Sequence, residues 1–150
     1  MASADADALP FTPEDVDRSL PERFARVAAR WPSRPAIVAG NRRLTYRELD
    51  RRSDRLAGAI AALDSGGQSP VAVLTEDRVS TPVGILAAWK AGRLCVPLDG
   101  ALPPSRLHAI LSDCEADVVV TDGDGAAALA ACPGRAAKQL RVDDPDLGEP

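Results

Sequence analysis

The stretch Trp89-Lys90-Ala91-Gly92-Arg93-Leu94-Cys95-Val96-Pro97-Leu98-Asp99 decides how this chain folds. It reads as a helix end, a glycine stop, a short apolar strand, then a proline and an aspartate at the strand mouth. Gly92 suits the position just past a helix, where a left-handed backbone needs no Cβ. Lys90, in the last helical turn, favours the negative pole of the helix dipole. Asp99 falls outside the carboxyl end of the strand, where α/β sheets place ligands. Turn preferences favour its capping the turn at Gly100 over ligand contact.

The same alternation extends on both sides. Apolar strands are predicted at Val71 to Leu74, Leu94 to Leu98, Val118 to Thr121 and Gln139 to Val142. Helical stretches lie between them at Pro82 to Ala91, Ser105 to Cys114 and Gly125 to Cys132. Strands apolar on both faces, each returned by a helix, imply a mostly parallel sheet flanked by helices, the α/β class. Ahead of it, Leu20 to Arg30 carries an apolar stripe of Phe24, Val27 and Ala28 and is closed by Pro32. Pro35 to Ala39 reads as a strand, and Gly40-Asn41 turns it into Arg42 to Leu44. Thr45 and Glu48 have the spacing of a capping box. Tyr46, Leu49, Ser53, Leu56, Ile60 and Leu63 then recur on one face of a helix that Ser65-Gly66-Gly67 stops. Arg47, Arg51, Arg52 and Arg55 fall largely off that face, in solvent. The expected organisation is a disordered leader at 1–10, one folded unit at 11–143 and a loose acidic tail at 144–150.

Composition excludes several classes. A chain of 150 residues can bury the core of one domain. With 45% hydrophobic and 27% charged residues it has an ordinary globular composition. Only 3% is aromatic, so Ala, Val, Leu and Ile must build the core. A net charge of −4 speaks against a nucleic-acid binder, and no apolar run reaches membrane-spanning length. Met1 to Asp7 lacks the basic and apolar order of a secretory signal. Cys95, Cys114 and Cys132 are odd in number and far apart, which fits reduced thiols of a cytoplasmic protein.

Leu44-Thr45-Tyr46-Arg47-Glu48-Leu49 and Lys90-Ala91-Gly92 with Val96-Pro97-Leu98-Asp99 resemble two core motifs of adenylate-forming, AMP-binding enzymes, L-T/S-Y-x-E-L and K-A-G-x-x-x-V-P-L-D. Pro35-Ala36-Ile37-Val38, the segment Pro103 to Asp113 and Val118 to Asp122 also resemble segments of that family. The similarity runs over roughly residues 11 to 143 and fits nonribosomal peptide synthetase adenylation domains best. Leu94-Cys95 departs from the family's usual A-Y pair, and His108 stands where an aromatic is common. The resemblance implies the N-terminal subdomain of an ATP-dependent ligase of secondary metabolism. In a complete relative, an amino or carboxylic acid and ATP, with Mg²⁺, give an acyl-adenylate and pyrophosphate, and the acyl group passes to a thiol. That family grips the triphosphate with a Ser/Thr/Gly-rich loop ending in P-K-G and uses a C-terminal lysine; neither occurs in these 150 residues. The expectation is therefore a truncated part that is inactive alone, with no catalytic, cofactor-binding or metal residue assigned. Its expected partners are the remainder of an adenylation domain or a carrier-protein system, with self-association through an uncovered sheet edge or face.

Two alternatives remain open on the sequence. One is a non-catalytic interaction module or the complementing half of a split adenylation domain. The other is a small dinucleotide-binding domain. Gly123-Asp124-Gly125-Ala126-Ala127-Ala128 satisfies G-x-G-x-x-G/A after a strand, and Asp143 or Asp144 lies about twenty residues on. Against it, Asp124 would place a carboxylate beside the pyrophosphate, the helix is short before Pro133-Gly134, and the motif comes late. The competing reading is a turn with Asp124 as helix N-cap. Asp122, Asp124 and Gly125 lack the spacing and closing Glu of a calcium loop. His108 and the scattered cysteines lack zinc-ligand pairing.

Overall fold

The computed structural model describes residues 9–63, 69–132 and 137–144. The expected leader up to residue 8, the Ser65-Gly66-Gly67 stop, the Pro133-Gly134 break and the tail from 145 lie outside them. The element order is α1 (Leu20–Arg30), β1 (Pro35–Ala39), β2 (Arg42–Thr45), α2 (Tyr46–Ala62), β3 (Val71–Leu74), α3 (Ser80–Lys90), β4 (Cys95–Leu98), α4 (Pro104–Asp113), β5 (Val118–Thr121), α5 (Gly123–Ala130) and β6 (Lys138–Arg141). The expected segments are all present. The largest boundary shifts are of two residues: α3 begins at Ser80 and not at Pro82, and α5 runs from Gly123 to Ala130 and not from Gly125 to Cys132, its start set by the Asp122 cap.

β1 and β2 form an antiparallel hairpin, separate from a four-stranded sheet in the order β4-β3-β5-β6 whose strand pairs are all parallel. Side chains alternate across the pleat, which divides the core in two. Val71, Val73, Val118 and Val120 face α2 and α3, meeting Leu56, Ile60, Val83 and Ala87. Ala72, Leu74 and Val119 face the other way, onto Leu107 and Leu111 of α4 and toward Ala128 and Leu129 of α5. Every residue of β3 and β5 is buried. Each Val or Leu taken from water in this way contributes about 1.5–3 kcal/mol. Among the described residues the sheet is therefore covered on both faces at its centre, and its openings are the β4 and β6 edges.

The local signatures behave as chemistry requires. Glu48 N donates to Thr45 Oγ1 (3.3 Å) and Thr45 N donates to Glu48 Oε2 (2.7 Å), closing the capping box. Ser53, on the buried face of α2, satisfies its hydroxyl on Asp50 O at 2.9 Å. α3 ends in a Schellman motif: Arg93 N donates to Ala88 O and Gly92 N to Trp89 O, with Gly92 at φ +69°. Ser19 and Glu22 form a second capping box at α1, one the sequence reading did not draw out.

Candidate functional site

The parallel sheet has one topological switch point, between β3 and β5. β3 leads through α3 to β4 on one side, and β5 leads through α5 to β6 on the other. Crevices at such points, outside the carboxyl ends of the strands, are where open α/β sheets bind ligands. Here it is a shallow cavity of about 230 Å³ whose lining includes Arg42, Asp77, Asp122, Gly123, Asp124 and Asp143. The topology does bring the Gly123-Asp124-Gly125 turn and Asp143 to one place, as the dinucleotide reading requires.

The chemistry of the crevice does not suit a phosphate. Asp122, 5% exposed, is the N-cap of α5: its Oδ1 accepts from Gly125 N at 2.8 Å. Its Oδ2 accepts from Glu76 N (2.9 Å) and Asp77 N (2.8 Å) in the loop after β3. Three backbone donors that could cradle an anion are thus already bound to a carboxylate of the protein. The expected cap, Asp124, is instead exposed in the first helical turn. The reason is spacing: Asp122 stands three residues before Gly125 N, the reach of an N-cap side chain. Gly125 serves helix–strand contact, since a Cβ there would lie 1.8 Å from Leu74 O. Asp143 spends both carboxylate oxygens on Arg141, at 2.7 Å each. That hydrogen-bonded pairing holds its pKa below the ordinary range.

Asp77 organises the other wall. It caps α3 through Ser80 N (3.1 Å) and Ser80 Oγ (2.7 Å) and accepts from Arg42 Nη1 (2.6 Å), joining the hairpin to the sheet. Burial pushes its pKa up, but the bonds from Ser80 and Arg42 outweigh that and hold it below the usual carboxylate value. Asp99, also at the carboxyl edge, accepts from Ala101 N at 2.9 Å, an Asx turn at Gly100. The capping reading of Asp99 is what the structure shows.

The two motif segments meet away from this crevice. Lys90 Nζ lies 2.6 Å from Asp50 Oδ1 and 2.6 Å from Asp54 Oδ1, both on α2, and 5.6 Å from the Phe24 ring centroid on α1. Phe24 in turn sits 6.0 Å from the Tyr46 ring. The lysine of K-A-G therefore clasps the helix that opens at Thr45-Tyr46, and its charge is spent within the fold. Arg93, 7% exposed, binds Ser69 O (2.6 Å), Ser69 Oγ (2.7 Å) and Asp117 Oδ1 (3.1 Å), pinning the amino-terminal ends of β3, β4 and β5. Sequence reasoning passed over Arg93 and Asp77, and it overlooked Asp15, whose buried carboxylate gathers Arg18, Arg23 and Arg26.

The remaining sulfur and imidazole groups among the described residues lie apart from the crevice lining. Burial pushes the Cys95 thiol up to about 11, the opposite of an activated cysteine. The three cysteines are unbridged and half-buried, and His108 is half-buried on α4. Among the described residues, no group of three His, Cys, Asp or Glu side chains is arranged to hold a metal ion. Arg47, Arg51 and Arg52 are exposed and Arg55 is half-buried, largely in keeping with a solvated helix face.

Fold and motifs together define a class: the doubly wound N-terminal subdomain of an adenylate-forming enzyme. Residues 24–149 match the family described as AMP-binding enzyme. The chain is 41% identical over 98 residues to N-(5-amino-5-carboxypentanoyl)-L-cysteinyl-D-valine synthase of Amycolatopsis lactamdurans, covering 65% of this chain and 3% of that protein. It is 38% identical over 111 residues to tyrocidine synthase 1 of Brevibacillus parabrevis, covering 74% of this chain and 10% of the other. Among solved structures, IdnL7 superposes with TM-score 0.76 at 33% identity, over 85% of this chain and 26% of that one. The N-terminal subdomain of Klebsiella oxytoca NpsA gives TM-score 0.70 at 26% identity, over 83% and 32%. This chain belongs to the AMP-binding enzyme family, on the branch of peptide-synthetase adenylation domains, and spans only a minor part of the length of the relatives it matches.

Proposed function

We propose that these 150 residues are the scaffold portion of an amino-acid-activating adenylation domain and that its adenylation chemistry is carried by residues outside this sequence. The carrying observation is Asp122. Its carboxylate takes the backbone donors of Glu76, Asp77 and Gly125, so three N–H groups placed to meet a phosphate at the switch point are engaged within the chain. The family motifs support the same reading, because Lys90 is committed to Asp50 and Asp54.

In the complete enzyme the reaction joins an amino acid to ATP, releasing pyrophosphate, and then transfers the acyl group to a carrier-protein thiol. ATP and Mg²⁺ belong to that complete assembly. No step is assigned to this chain's own side chains; their part is to hold the helices and sheet on which the rest of the domain is laid. The partner is the remainder of an adenylation domain within a synthetase, and the setting is cytoplasmic. No helix among the described residues is long and apolar enough to cross a membrane.

The test is a graft. Replacing the corresponding segment of an active peptide-synthetase adenylation domain with these residues should retain amino-acid-dependent pyrophosphate exchange and leave the preferred amino acid unchanged. A folded chimera with a switched amino-acid preference would place specificity or chemistry in this segment and defeat the proposal.

A further inference from the structure

Among the described residues, the two outer edges of the parallel sheet, β4 and β6, carry no further strand and are built differently. On β6, Lys138, Gln139 and Arg141 are exposed, and charged side chains on an edge discourage another strand. β4 has no charged residue between Cys95 and Leu98, and Leu94 just before it is 70% exposed. A short apolar edge of this kind invites pairing unless something else blocks it.

The register of β4 fixes which of its backbone groups face outward. Val71 N donates to Leu94 O at 2.8 Å, and Val71 stands opposite Cys95 in the parallel register. Successive residues of a strand turn their backbone groups to alternate sides. Leu94, Val96 and Leu98 therefore turn theirs toward β3, while Cys95 and Pro97 turn theirs outward. Proline has no N–H. Of the two outward residues in β4, only Cys95 carries a donor, and the exposed ring of Pro97 stands where a ladder bond would form.

We propose that Pro97 closes the outer edge of β4 against strand addition by a second copy of this chain. A second copy is the relevant occupant because two β4 strands can meet about a two-fold axis, so one substitution acts twice in the interface. The position gives this proline a task apart from catalysis: it guards an apolar edge that carries no charge of its own.

Sedimentation velocity across a concentration series, on the whole chain and on Pro97→Val, tests this. The parent should sediment as a monomer. Pro97→Val should form a dimer at least roughly tenfold tighter, the ratio that about 1.4 kcal/mol carries, with the Cys95 amide gaining concentration-dependent protection from hydrogen exchange. If Pro97→Val loses the parent's circular dichroism spectrum, Pro97→Ala restores the same N–H with less added bulk and is read instead. A folded variant that stays monomeric, or a parent that pairs through this edge as tightly as the variant, overturns the proposal. So does an association that responds to Leu94→Asp but not to Pro97.

Discussion

Lys90 Nζ lies 2.6 Å from Asp50 Oδ1 and donates as well to Asp50 O at 3.1 Å, across forty residues of sequence. With only 11% of its side chain exposed, Lys90 draws α3 onto α2 and shares its charge with Asp54. Lys90→Met should cost about 2 kcal/mol, between the ~1 kcal/mol of an exposed pair and the ~3 kcal/mol of breaking a buried one. Urea unfolding of Lys90→Met, Asp50→Asn and the double variant gives the coupling; additive losses would show that the contact is incidental.

Arg93 is the pin at the opposite end of the sheet. Its guanidinium serves Ser69 and Asp117 together, a planar fork that an ammonium group cannot reproduce. Arg93→Lys should therefore recover little of the ~3 kcal/mol expected to be lost in Arg93→Leu, where Asp117 is left without its charged partner. Thermal melting compares the two directly, and full rescue by lysine would refute the fork argument.

At the switch point, Asp122→Ala should orphan the N–H groups of Glu76, Asp77 and Gly125 and cost about 2–3 kcal/mol. Gly125→Ala should be worse, because its methyl group would meet Leu74 O. Gly123→Ala should be mild, its nearest obstacle being Arg141 Nη2 at 3.7 Å. Soluble yield and melting temperature should rank the two glycine variants in that order.

Acid should unfold the protein through its capping and pinning carboxylates. Hydrogen bonds from Thr45 hold Glu48 below its ordinary value. Asp117 is raised by burial but lowered further by Ser69 and Arg93, and Asp77 follows the same pattern. A carboxylate with a depressed folded pKa stabilises fully above its unfolded value of about 4, and that contribution fades as pH falls through the folded pKa. Stability should be flat from about pH 7 to 5 and decline below, and Glu48→Gln should flatten the decline. An unchanged slope in Glu48→Gln would contradict the assignment.

Local information was legible in the sequence. Thr45 with Glu48, Gly92 with its helix end, and the four-residue apolar strands each carry their structural cause within a few neighbouring positions. Parallel pairing followed from the alternation of strands and helices, although the order β4-β3-β5-β6 did not. Long-range polar contacts were not legible: Asp122 reaches Glu76 across forty-six residues, and Arg93 reaches Ser69 and Asp117 across twenty-four each. Periodicity and capping rules say nothing about such separations. The choice of Asp124 over Asp122 as cap is different, since counting three residues back from Gly125 N would have found it.

The central claim is tested most directly by Mg-ATP-dependent pyrophosphate exchange with the purified 150-residue chain and a pooled set of amino and aryl acids. Exchange should be no greater than in the acid-free control. Acid-dependent turnover by this chain unaccompanied would contradict it, because a triphosphate would then have been gripped by residues that the structure shows bound to one another.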